Sequence, residues 1–254
     1  MTGPSPCATC SSRCCIDYVV TVTGYDAWRI ATESGLGFES FLVYFALSDQ
    51  TKPGFVLKPR GTRYDIALDK VGDFRKGNPC IFWMDFMNGR GRCGIYRIRP
   101  HVCQTYPAYL SHGTVLLRDD VYCPEGAWHL VAMDLPEFRG RLERFQVEQE
   151  IYAYLVDRWN RHVDLSGAQY SVRSYYAYLS EAYSEMERSR ASLSPQALRA
   201  AVERWAADCE AGSSPLLANV PLHEPYERWN ASIDSLRLAI ERNIVADGSV
   251  AAEA

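Results

Sequence analysis

No stretch of this chain comes near the roughly 20 consecutive apolar residues that a bilayer-spanning helix requires. The opening MTGPSPCATC has neither a basic segment nor an apolar run, so it does not read as a secretory leader, and a cytoplasmic location is the expectation. Neither sign of charge is in real excess: 27 Lys and Arg face 31 Asp and Glu, a formal net charge of −4. That balance gives no general attraction to nucleic acid or to an anionic membrane, so neither is an expected partner. Internal repeats and low-complexity tracts are missing too, as are a G-x-S-x-G hydrolase elbow and a clear G-x-G-type nucleotide loop. Histidine is sparse, with five residues, and His112, His129, His162 and His223 show no metal-ligand spacing. What remains is the composition of an ordinary folded protein, 47% hydrophobic and 23% charged over 254 residues, enough for one large domain or two small ones.

Cysteine is the exception to this plainness. There are nine, and eight lie in the first half: Cys7, Cys10, Cys14 and Cys15 as C-x2-C-x3-C-C, then Cys80, Cys93, Cys103 and Cys123. An odd count without an export signal argues against a disulfide framework. Thiolates are soft donors that select zinc, copper(I) or iron–sulfur clusters over hard cations. All eight are therefore candidate metal ligands, for an iron–sulfur cluster or zinc, with Cys123 the weakest member. Cys7 and Cys10 can meet at one metal across a tight turn. Cys14 and Cys15 are neighbours, and in extended backbone they would point to opposite sides and serve different metal centres or different irons of one cluster.

Spacing does not choose the metal. Nine residues separate Cys93 from Cys103, unlike a zinc ribbon, and the C-x2-C-x2-C-x3-C-P ferredoxin run is missed as well. Eight thiolates suffice in number for two four-cysteine sites. Between Phe86 and Arg118 there is no acid, while Arg90, Arg92, Arg97 and Arg99 crowd Cys93, where guanidinium groups would offset thiolate charge. His101 could ligate, but a histidine at an Arg-Pro helix start is more commonly structural and it stays outside the ligand set. Cys209 falls on a helical apolar stripe with Trp205 and reads as a small buried hydrophobe.

The expected architecture is mixed α+β: a loop-rich cysteine-cluster metal domain over residues 1–126, then a mainly helical extension over 127–254. A strand is expected over Asp17–Thr23, and Thr23 with Asp26 opens a helix running toward Gly35. A second helix is expected over Phe38–Leu47, a strand near Arg63–Leu68, turns and loops from Pro79 to Tyr106, and a short strand at Val115–Leu117. Phe138, Leu142, Phe145, Ile151, Leu155 and Trp159 recur at three- and four-residue steps, apart from one skipped turn, on one helical face. Val172, Tyr176, Leu179, Tyr183 and Met186 do the same. Ser194-Pro195 opens a further helix, and Trp229, Ile233, Leu236 and Ile240 mark a last one.

The order CATCSSRCC, then Cys80, then RCGIYRIRPHVCQTYP and Cys123-Pro124 resembles the YkgJ-type cysteine-cluster family, whose members are described as chelating zinc or iron. The resemblance covers about residues 5–126. It implies a metal or cluster bound by the eight cysteines, with Tyr96 and Tyr106 packed against it or bonded to its sulfurs. Three roles follow: a metal- or cluster-binding protein, favoured; a cluster-dependent enzyme acting by redox or methyl-transfer chemistry on a protein or small-molecule substrate; and a metal store or delivery protein.

Overall fold

The computed structural model describes residues 13–72, 74, 77–86, 91–119, 121–123, 128 and 135–191. Cys7, Cys10, Arg90, Pro124, His129, Cys209, His223 and the helices expected beyond Ser194 lie outside the described residues. The chain divides into two compact units, residues 1–45 with 65–146, and residues 46–64 with 147–254. Helices and small antiparallel strand pairs coexist, so the fold is α+β. Among the described residues no helix is long and apolar enough to cross a membrane.

In the first unit, helix α1 (Arg13–Asp17) carries Cys14 and Cys15. The expected strand at Asp17–Thr23 holds only in part, because Asp17 closes α1. The rest is extended and joins strand β2 (Tyr64–Leu68) through a Thr21–Ala67 bridge and a Leu68 N–H to Val20 O bond of 2.9 Å. Helix α2 (Gly24–Ser34) begins as expected, with the Thr23 hydroxyl accepting the Asp26 N–H at 3.2 Å and Gly35 ending it in the left-handed region. The expected helix at Phe38–Leu47 is overturned. Only Phe38–Ser40 turn, as a 3₁₀ helix, and Leu42–Ala46 form strand β1, paired with β2. The run FLVYF is aromatic and β-branched, and it fits a pleated, half-buried surface better than a helix. Ile30, Phe41, Ile66 and Ala67 form the fully buried centre.

Pro79–Tyr106, expected as turns and loops, holds a short hairpin of β3 (Trp83–Asp85) and β4 (Gly91–Cys93), a 3₁₀ turn at Tyr96–Ile98 and helix α3 (His101–Thr105). A cis Tyr106–Pro107 bond follows, and then strands β5 (Ala108–Ser111) and β6 (Thr114–Leu117) pair as a second hairpin. Its two-residue turn is His112-Gly113, both at positive φ (46° and 74°), the twist that matches a tight hairpin. Ala108 and Val115 pack there on Leu142, from the early turns of helix α4 (Leu135–Ser166).

In the second unit, the rest of α4 and helix α5 (Val172–Ala191) hold the segment around Gly54–Leu57. Asn160 grips it from both ends, donating to Gly54 O at 2.9 Å and accepting from Val56 N–H at 2.8 Å. The Trp159 indole donates to Val56 O at 2.7 Å, and Phe55 stacks on Tyr175 with centroids 3.9 Å apart. The buried residues Ile151, Leu155, Trp159, Tyr176, Leu179 and Tyr183 are those the helical periodicity selects.

Candidate metal centre

Two cysteines sit in turns shaped for thiolates. The backbone N–H of Phe82 donates to the Cys80 sulfur, and that of Ile95 to the Cys93 sulfur, so in each case the donor is two residues beyond the cysteine. Such bonds favour the charged form of a thiol and fix its direction. The turns are joined: Gly94 N–H donates to Phe82 O at 2.7 Å, and Trp83 N–H to Cys80 O at 2.8 Å.

Helix α1 is tied to this hairpin by its backbone. Cys15 O accepts the Cys80 N–H at 2.7 Å. One residue on, Ile16 O accepts the Nζ–H of Lys70, also at 2.7 Å. Lys70 is 4% exposed and is bridged to Cys80. Burial lowers its pKa, while Asp17 and the Cys80 thiol act the other way, and its charge in turn helps hold the Cys80 thiolate. No sequence signal singles out Lys70, since burial leaves no mark on composition.

Cys103 reaches the same neighbourhood on α3, whose start is clamped by α2. The Oδ1 of Asp26, which is 0% exposed, accepts the His101 backbone N–H at 3.0 Å and lies 2.8 Å from His101 Nδ1. Arg29 Nη2 donates to Arg99 O at 2.7 Å and lies 3.5 Å from Asp26 Oδ1. His101 is thus a fixed structural element, stacked on Phe145 with only 5° between ring planes.

The thiols of Cys14, Cys80, Cys93 and Cys103 are near enough to influence one another's charge. They come from four places in the chain: α1, the residue before the β3 turn, the end of β4, and α3. Among the described residues, however, no three His, Cys, Asp or Glu side chains are close enough to hold one ion. The thiols are gathered but not closed onto a single point. Cys15 hydrogen-bonds Cys14 from the next position of a helix, about 100° around its axis, not from the opposite side of an extended strand. Cys123 has a different setting: its sulfur accepts the Trp128 indole N–H at 3.2 Å, beside Tyr106.

Residues 6–124 match the CxxCxxCC family, described as a "Putative zinc- or iron-chelating domain". This stretch is similar to that family. No curated protein and no solved structure matches the chain. The match supports metal binding by this region in general, and the donors of the stretch suit zinc or iron. Its sulfurs are soft, two accept backbone N–H bonds, and Lys70 and Arg99 supply positive charge. Of the arginines around Cys93, Arg99 acts on its thiol. Arg92 pairs with Met84 on the opposite face of the hairpin from Cys93, and Arg97 is exposed. Tyr96 is 46% exposed with Arg99 over its ring, and the Tyr106 hydroxyl pairs with Tyr18 and Tyr122.

These thiols give the stretch a pH signature. Burial pushes Cys80 up to about 11 from the ordinary 9.0, and burial also raises Cys93 and Cys103. In Cys14 the main cause is the Cys15 thiol, followed by burial. A raised folded-state pKa gives stability that is complete below the unfolded value and lost as pH rises through the folded one. The metal-free protein is therefore expected to lose stability between pH 9.0 and about 11, the window set by Cys80. Cys80 alone accounts for about 2–3 kcal/mol of this. Metal-bound thiolates have no proton to lose, so the loaded protein should not follow. Melting temperature against pH checks this; a flat metal-free curve across the window would contradict burial of the thiols.

Proposed function

We propose that Cys14, Cys80, Cys93 and Cys103 form the thiolate core of a metal centre that holds zinc or an iron–sulfur cluster and organises the fold around it. The observation that supports this is the mutual electrostatic influence of four thiols from four separate segments. Cys7, Cys10 and Cys15 are the further donors. Together they exceed the four that one zinc takes, which favours a multi-iron cluster or two centres. In this reading residues 1–126 are the metal-binding domain and 127–254 a helical extension.

Purification without oxygen, followed by metal analysis and absorption spectroscopy, tests the reading. Broad visible charge-transfer bands with iron identify a cluster, and a colourless protein with stoichiometric zinc identifies a zinc site. Serine substitutions then rank the cysteines. Cys14→Ser, Cys80→Ser, Cys93→Ser and Cys103→Ser are each expected to weaken metal binding by more than about 100-fold, beyond the roughly 10–100-fold of a lost outer partner. Cys15→Ser should act less strongly than Cys14→Ser, and Cys123→Ser within the outer-partner range. Equal losses at Cys93 and Cys123 would refute the proposed core.

A further inference from the structure

Trp83 and Cys93 are direct partners in the β3–β4 ladder, so their side chains share one face of the hairpin. The Gly94 to Phe82 hydrogen bond lies one residue along, which makes Trp83–Cys93 a non-hydrogen-bonded pair. Facing side chains come closest at such positions, with Cβ atoms about 5 Å apart. The indole lies over Gly91, two residues before Cys93. A Cβ there would stand 1.8 Å from Nε1 and 2.0 Å from Cε2, so the glycine makes room for this ring. Yet Nε1 is shut off from solvent and has no hydrogen-bond partner among the described residues. A buried N–H left in that state is costly, and native proteins seldom keep one without a use.

The molecule also shows a partner that an indole N–H can take, because Trp128 donates to the Cys123 sulfur at 3.2 Å. We propose that the Trp83 indole N–H is a donor held for the metal-bound Cys93 thiolate. This rests on the reading of Cys93 as a ligand. The Ile95 amide already donates to that sulfur, and Trp83 would add a second donor from the neighbouring strand. Withdrawing charge from the sulfur makes the thiolate easier to hold at neutral pH, so Trp83 acts on the metal through Cys93 and is a positioning residue. Among the described residues the donor is unpaired, and the metal-bound thiolate would satisfy it.

The test uses the full chain with isotope-labelled tryptophan, titrated with cadmium ion as an NMR-active thiophilic probe. On loading, the Trp83 indole proton is expected to move downfield, to exchange with solvent at least about 10-fold more slowly, and to show coupling to the bound cadmium. Trp83→Phe assigns the resonance. It should also lower cadmium affinity about 10–100-fold, the usual range for a lost outer-shell partner, with the stoichiometry unchanged. Should Trp83→Phe fail to fold, the wild-type spectrum still decides. Cadmium bound to thiolates with an unchanged indole proton would overturn this proposal and leave the centre standing. Failure of cadmium to bind at all would overturn both.

Discussion

Stripping the metal, or changing Cys93 to Ser, is expected to unfold residues 13–23 and 80–106 while the helical segment 147–191 stays folded. The elements in the first two stretches are short: α1 and α3 have five residues each, and β3 and β4 have three. An isolated helix of that length has no stability in water, and a lone hairpin is marginal at best. A structural thiolate site contributes on the order of 10 kcal/mol in small zinc peptides, more than such elements replace by packing. The second unit stands on other interactions, the Asn160 and Trp159 grip on Gly54–Val56 and the Phe55–Tyr175 stack. Hydrogen exchange resolved by segment measures both. Wild-type protection over 80–106 after complete metal removal would rule out the structural role.

The second large effect is expected at Asp26. Its carboxylate joins Thr23, Arg29 and the start of α3, and it is fully buried. Asp26→Ala leaves the His101 N–H and ring nitrogen without their acceptor and removes the partner of Arg29. Breaking a buried polar pair from one side costs about 3–5 kcal/mol. Asp26→Asn keeps one oxygen acceptor and should cost about 1–3 kcal/mol. Because α3 carries Cys103, the loss should reach the metal as well. Metal affinity should fall in the order wild type, Asn, Ala, alongside the denaturation midpoint. An Asp26→Ala protein with wild-type stability and metal content would show that the clamp has no part in placing Cys103.

The α2 helix was legible because its signals are local: the Thr23 hydroxyl caps a backbone N–H three residues on, and Gly35 permits a left-handed stop. The α4 and α5 helices were legible for a related reason, since periodicity reports a buried face directly. Phe38–Leu47 was misread because a short aromatic and β-branched run suits either state, and its pairing with β2 decided the matter. Cys14 and Cys15 were assigned their divergence from extended backbone, whereas a five-residue helix holds them in hydrogen-bond contact. The arginines near Cys93 were visible as a cluster, but β-strand alternation sends Arg92 to the far side, and among the described arginines it is Arg99 that acts on the thiol.

What residue types and their spacing alone supply is the expectation of chelation through sulfur, and the long amphipathic helices that follow. Residue type dictates the first, because only thiolates bring that softness, and periodicity dictates the second. Tertiary structure alone decided which charges and donors accompany the thiols. Asp26 meets His101 across 75 positions and Lys70 meets Ile16 across 54. The Trp83 indole comes to the Cys93 face through strand register. Each of these depends on distance and on exclusion of water. A buried lysine, an anchored histidine and a reserved indole are, in the sequence, the same residues as their exposed counterparts.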